Sequence, residues 1–324
     1  MSYQSIKITK ERIMRMKENR AGELLSYLPA SIAKRLENIL TDEWIDVEEI
    51  RLRAEEPLAI GVFGESCFIT DNGGITNYES DAYKVKSEEV GTAFGKICEN
   101  SVYAHLEEIQ KGYITLKGGH RVGICGKAVC ECGKIKNFKE VSSLNFRVAH
   151  QVIGFADGII DSIINGSSVS STLIVAEPQM GKTTLLRDIA RQVSNKGFKC
   201  GIADDRGELA AMFNGVPSND VGAQTDVIDG AKKNDAIEML IRTMSPNVLI
   251  SDEIASESEV NAILLAAGTG VKVIASAHGS SVEEVLSKKS LKRLFCDKVF
   301  EQIILLKRDF LSPDSVIYTK VVKL

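Results

Sequence analysis

Gly181, Lys182, Thr183 and Thr184 stand in a row behind the apolar run TLIVA and ahead of the amphipathic stretch LLRDIA. A strand, a short turn and a glycine-lysine-hydroxyl sequence opening a helix make a phosphate loop. Backbone N–H groups and the positive end of the helix meet phosphate oxygens, the lysine holds the outer phosphates, and the hydroxyl completes a Mg²⁺ shell. The loop reads AEPQMGKTT, so Pro178, Gln179, Met180, Gly181, Lys182, Thr183 and Thr184 are the residues expected around a nucleotide's phosphates. Ala176 replaces the usual first glycine, at a cost on the order of 1 kcal/mol if the backbone must be left-handed there. Glu177 brings a negative charge and is expected to point outward.

Three further groups suit the same chemistry. The apolar run NVLIS ends in Asp252 and Glu253. At the carboxyl end of a parallel strand these acids face the ligand crevice. Asp252 is the expected metal ligand beside Thr183, and Glu253 is expected to orient or deprotonate the attacking water. IADDRGEL ends another strand with Asp204, Asp205 and Glu208, acids that repel one another unless a cation or Arg206 sits among them. The run VKVIASA is followed by His278, placed to donate to a γ-phosphate, with Ser276 a weaker candidate on the same strand.

The elements that must position these side chains follow from hydrophobic pattern. From Ser170 onward, near-continuous apolar strands alternate with helices: STLIVA, a helix through Leu185 to Val193, KCGIAD, a loop, a helix from Ala236 to Met244, NVLIS, a helix from Glu259 to Ala267, VKVIASA, and a helix near Glu283 to Leu286. That rhythm predicts an α/β domain with a mostly parallel sheet covered on both faces. FEQIILLKR and SVIYTKVVKL add two strands, expected as a hairpin on the sheet edge. The first half is α+β instead. Helical spacing runs from Ala21 to Leu40 with a break at Pro29, a helix starts near Ser87, and strands lie in EIRLRAEEPLAIGVFG, CFITDNGGI, YITLKGGHRVGICGKAV and FKEVSSLNFRVA. The expected division is an N-terminal domain over 1–150 and an ATPase domain over 151–324, and 324 residues suffice for two cores.

The net charge of -4 supplies no basic field, which argues against a dedicated nucleic-acid binder. Seven cysteines, an odd number without scaffold spacing, fit a reducing cytoplasm. Cys130 and Cys132 make poor zinc geometry. No apolar run is long enough to cross a bilayer, so the chain is expected to be soluble or at most peripheral to a membrane. Lys7, Lys10, Arg12, Arg15, Lys17 and Arg20, interleaved with Ile6, Ile8, Ile13, Met14 and Met16, read as a basic amphipathic helix, either frayed in solvent or resting on an anionic surface.

The run from LIRTMSPNVLISDEI through AAGTGVKVIASAHG resembles the secretion and traffic ATPases, which carry a phosphate loop, an acidic box, a metal-binding strand and a histidine box in this order. Over roughly residues 45–280 the chain resembles the stage III sporulation AA family of endospore-forming bacteria. That resemblance rests on EIRLRAEEPL, NSVYAHLEEIQKGYITLKGGHRVGICGKAV, SLNFRVAHQVIG, GKTTLLRDIAR, GVPSNDVGAQTDVIDG, SPNVLISDEI and SAHG. It implies a RecA-like P-loop core behind a smaller N-terminal domain, with ATP and Mg²⁺ as cofactors. It also implies hexameric rings, and work on the mother-cell side of the forespore membranes for a membrane-associated channel complex. By position it matches Lys182 and Thr183 to the P-loop, Asp204, Asp205 and Glu208 to the acidic box, Asp252 and Glu253 to the metal-binding strand, and His278 to the histidine box. In such proteins arginines outside the core can reach the phosphates, which nominates Arg121, Arg147 and Arg242. Two other classes stay open: a nucleotide-binding ring scaffold with little turnover, and a small-molecule kinase, for which no arginine-rich lid is evident.

Overall fold

The computed structural model describes residues 5–8, 17–18, 20–42, 45–99, 102–110, 112–131, 133–178, 180–309 and 316–324. The chain divides into two compact units, Glu18–Gln151 and Val152–Leu324, the latter joined by Met1–Lys17.

The Glu18–Gln151 unit is built on an antiparallel sheet in the order Ile75–Thr76, Glu65–Ile69, Ala59–Val62, Val47–Arg53, Lys134–Arg147, Arg121–Glu131 and Tyr113–Thr115. Alternation puts Ile50 and Leu52 inside while Arg51 and Arg53 stay partly exposed, the mark of a sheet with one face buried. Helices Ala30–Leu40 and Ser87–Ile97 supply Ile32, Leu36, Val90 and Ile97 to the same core as Ile50, Leu144 and Phe146. Pro29 lies between the 3₁₀ turn Ala21–Tyr27 and the first of these helices, where its missing N–H is no loss. The Ser87 helix starts as its SEE sequence indicates, with the Glu89 carboxylate accepting the Lys86 N–H at 2.9 Å.

The second unit carries the alternating half. Its strands are β1 (Ser5–Ile8), β2 (Thr172–Ala176), β3 (Cys200–Asp204), β4 (Thr225–Asp229), β5 (Val248–Glu253), β6 (Lys272–His278), β7 (Gln302–Asp309) and β8 (Val316–Lys323). They form one sheet in the order β1-β8-β7-β2-β6-β5-β3-β4. From β7 through β4 all neighbours are parallel, and β8 and β1 are antiparallel additions. Four helices matter to the site: α1 (Lys182–Asn195), α2 (Lys233–Met244), α3 (Glu257–Gly268) and α4 (Val282–Ser287).

Because both faces are covered, successive strand residues enter different cores. Ile174 packs with Leu185, Leu186 and Ile189 of α1, whereas Leu173 and Val175 pack with Ile237, Leu240, Val260 and Ile263 of α2 and α3. Strands buried on both sides read as unbroken apolar runs, which is why this half shows no period of two.

Three expectations need correction. Ser5–Ile8 is a strand paired with β8, not the start of a basic helix; its alternating sequence completes an open sheet edge, and residues 9–16 of that segment lie outside the described residues. The C-terminal hairpin therefore is not the edge, since β1 covers it. The opposite edge is β4, from AQTDVIDG, whose short polar sequence gave no strand signal. Among the described residues no helix is long and apolar enough to cross a membrane. Cys67, Cys98, Cys125, Cys130, Cys200 and Cys296 are free thiols, and Cys132 lies outside the described residues.

Candidate active site

The sheet order brings the chemistry together. Between β2 and its sequence successor β3 lie β6 and β5, so the carboxyl ends of β2, β6, β5 and β3 stand side by side. This is a topological switch point, where open α/β sheets bind ligands. The register aligns Ala176 with His278, and Ser276 with Glu253.

After Ala176 the chain turns through Gly181, whose φ of 87° is left-handed, into α1. A side chain there would be strained by its backbone alone. Lys182, the first residue of α1, folds back over the loop. Its Nζ donates to the carbonyls of Ala176 at 3.0 Å and Glu177 at 3.4 Å, and lies 2.6 Å from His278 Nδ1. Burial holds the lysine below its ordinary pKa, opposed by the charge of Glu253. His278 Nε2 in turn lies 2.9 Å from Glu253 Oε2. One imidazole thus joins the loop lysine to the strand-end carboxylate. With Nδ1 accepting from the ammonium, Nε2 carries the proton donated to Glu253.

Gly279 makes this closeness possible. Its N–H donates to the same Ala176 carbonyl at 3.2 Å, and a Cβ there would stand 2.4 Å from Val285 Cγ2 and 3.2 Å from Val175 Cγ1.

Pro178, Met180, Gly181, Lys182, Thr183, Thr184, Arg206, Glu208, Asp252, Glu253, Ser276 and His278 line one cleft of about 320 Å³. Gln179 lies outside the described residues. Glu177 is exposed, as its charge demands, and is absent from the cleft lining.

The acidic loop is divided in its duties. Asp204 is fully buried and accepts backbone N–H bonds from Glu208 at 2.9 Å, Leu209 at 3.0 Å and Ala210 at 2.9 Å. Burial raises its pKa against those three bonds. Its carboxylate folds the loop and does not line the cleft. Asp205 is exposed, 3.9 Å from Lys233 Nζ, and also absent from the lining. Glu208 does line it. Arg187 of α1 fixes that arrangement by donating to the carbonyls of Glu208 at 2.6 Å and Leu209 at 3.0 Å.

Asp252 is buried, and its Oδ1 forms an ion pair with Lys233 Nζ at 2.6 Å. Burial pushes its pKa up to about 6, with Lys233 pulling the other way. Among the described residues no cluster of three or more His, Cys, Asp or Glu is arranged as a closed metal cage. A nucleotide-bound Mg²⁺ needs none, since it takes one or two protein oxygens and completes its shell with phosphates and water. The Thr183 hydroxyl and the Asp252 carboxylate, both lining the cleft, fit that donor set.

Of the nominated arginines, Arg242 is exposed on α2 and bonds Glu238 at 2.8 Å, away from the cleft lining. Arg121 and Arg147 pair across strands of the other unit. The arginine in the lining is Arg206, passed over in the sequence as a local partner for acids. Lys233 was missed altogether. So was Asp188 of α1, buried, which accepts the N–H groups of Gly154 at 3.1 Å and Ala156 at 2.7 Å. Those bonds hold the segment whose Phe155 ring lies 3.5 Å from where a Gly181 side chain would begin.

Known proteins share this fold. The pilus retraction motor PilT, solved with bound ADP, superposes with a TM-score of 0.60 at 14% identity, over 90% of this chain and 82% of that one. The ATPase DotB of Legionella pneumophila gives 0.53 at 15% identity, over 86% and 76%. These likenesses show a RecA-like core with a largely parallel sheet. The stage III sporulation protein AA of Bacillus subtilis (strain 168) is 35% identical over 293 residues, covering 89% of this chain and 91% of that protein. The model of the family described as sporulation stage III, protein AA, matches residues 18–319. On that match and that identity, the chain belongs to the sporulation stage III protein AA family.

Proposed function

We propose that the cleft binds ATP with Mg²⁺ and hydrolyses it, and that the chain is a motor ATPase of sporulation. The observation that carries this reading is the Lys182–His278–Glu253 chain, at 2.6 and 2.9 Å, lying across the mouth of a phosphate loop. A lysine, a neutral imidazole and a carboxylate in a row are what transfer to water requires: a group for the outer phosphates, a donor near the terminal phosphate, and a base within one hydrogen bond of water.

In this mechanism the backbone from Pro178 to Thr184 cradles the phosphates. The arriving γ-phosphate takes Lys182 from His278. His278, still donating through Nε2 or turned toward the phosphate, stays beside Glu253, which holds and deprotonates the attacking water. Thr183 and Asp252, both lining the cleft, would hold Mg²⁺, which would supply positive charge beside the phosphate oxygens. Glu208 and Arg206 line the same cleft, where the Arg206 guanidinium would offset negative charge on the phosphates. Asp204 and Asp205 act behind them, shaping the loop and its charge.

The family supports the larger setting. We infer a homo-oligomer, a hexameric ring, with the Val152–Leu324 unit and its added strand β1 as motor and the Glu18–Gln151 unit as its N-terminal partner. It works at the mother-cell side of the forespore membranes and drives a membrane-associated channel complex. Nothing in this reading calls on nucleic acid.

The test is Glu253→Gln. It keeps ATP binding and loses turnover by about a hundredfold or more, because the water loses its base while the phosphate loop stays intact. Unchanged turnover moves the base to Glu208. ATP binding with no turnover in the wild-type protein would leave a nucleotide-controlled ring scaffold instead.

A further inference from the structure

Lys233 breaks two local rules at once. It opens α2, where the helix dipole disfavours a cation, and only 5% of its surface is exposed. A buried ammonium at a helix N-terminus persists where its surroundings offset both costs, and such violations gather at functional sites.

The surroundings are specific. Lys233 Nζ lies 2.6 Å from Asp252 Oδ1 and donates to the Glu253 carbonyl at 2.6 Å. Asp205 and Glu259 carboxylates follow at 3.9 and 4.0 Å. Glu259 also accepts the N–H groups of Ala255 at 2.7 Å and Ser256 at 3.1 Å, at the start of α3. One ammonium therefore ties the start of α2 to the end of β5 and lies within reach of the cap of α3.

The end of β5 needs such a tie because it is irregular. Ser251 pairs with Ala275 and Glu253 with Ser276, so Asp252 is an extra residue with no partner on β6. A bulge of this kind re-aims the side chains on either side of it. Here Asp252 turns to Lys233 and Glu253 turns to His278. Lys233 touches both sides of the bulge, the Asp252 side chain and the Glu253 carbonyl.

We propose that Lys233 is a positioning residue of the hydrolytic site, fixing the Asp252 bulge so that the Glu253 carboxylate meets His278 at the cleft. It touches neither phosphate nor water and acts through Glu253. The inference rests on the hydrolysis reading for its catalytic consequence, and the geometry it asserts is measurable without turnover.

Two measurements test it. In the nucleotide-free protein, the ¹⁵N NMR signals of the His278 ring report its bond to Glu253. They shift in Lys233→Met and return toward wild type in Lys233→Arg. Unchanged signals in Lys233→Met overturn the proposal, whether or not the protein hydrolyses ATP. In steady-state assays Lys233→Met lowers kcat at least tenfold while the affinity for ADP stays within about threefold, and adding it to Glu253→Gln costs nothing further. Equal loss of affinity and turnover, or additive loss in the double variant, marks a merely structural lysine and overturns the proposal. Should Lys233→Met fail to fold, Lys233→Gln takes its place in both measurements. A wild type with no more turnover than Lys182→Ala refutes the hydrolysis reading, and the NMR result still decides the role of Lys233.

Discussion

Lys182 Nζ and His278 Nδ1 stand 2.6 Å apart, although Lys182 opens α1, His278 ends β6 and the two lie far apart in sequence. The parallel pairing of β2 with β6 sets their registry, Ala176 opposite His278. The lysine that a nucleotide's phosphates would claim is thus held by an imidazole whose other nitrogen reaches Glu253.

His278→Ala is expected to lower turnover by about a hundredfold, the usual loss when a preorganised donor is removed from a charge-developing site. Nucleotide binding should hold or tighten, since Lys182 is freed for phosphate. Parallel titration with ADP and a phosphate-release assay would measure both, and unchanged turnover would remove His278 from the mechanism.

Gly279→Ala should destabilise the Val152–Leu324 unit by about 1–3 kcal/mol, because the new methyl group meets Val285 and Val175 in a packed core. Thermal unfolding would show it as a Tm lowered by several degrees. An unchanged Tm would mean that α4 yields freely.

Asp188→Ala should cost about 3–5 kcal/mol, since it leaves two backbone N–H groups and Arg191 without their buried carboxylate. Nucleotide affinity should fall as well, because the strap carrying Phe155 no longer backs Gly181. Denaturant unfolding together with ADP titration separates the two losses.

His120 governs a pH effect in the other unit. Fully buried, it accepts the Ala149 N–H at Nδ1, and burial lowers its pKa to about 4 from an ordinary 6.5. The unfolded chain therefore binds the proton first as pH falls. The stabilising contribution is complete above pH 6.5 and is lost between 6.5 and 4, to a total of about 3 kcal/mol. Denaturant midpoints across that range should fall more steeply in the wild type than in His120→Asn. Parallel slopes would contradict this assignment.

The sequence carried the site's outline because its residues sit at ends of long apolar strands. TLIVA, NVLIS and VKVIASA are unambiguous as buried strands, so Lys182, Glu253 and His278 are legible from the sequence as neighbours of the carboxyl ends of a parallel sheet. What stayed hidden depends on contacts between distant segments. Lys233 reads as one of two lysines before a helix, and nothing local reveals that it meets Asp252. Asp204 reads as a third cleft acid, yet three backbone N–H groups of its own loop claim it. The edge strands β1 and β4 are short and mixed in polarity, and their strand character comes from the neighbour each one pairs with.

If Lys182 serves ATP hydrolysis in this cleft, phosphate release from ATP with Mg²⁺ must differ between the wild type and Lys182→Ala. Release is expected from the wild-type protein and only background from the variant. Equal rates in the two proteins would contradict that role.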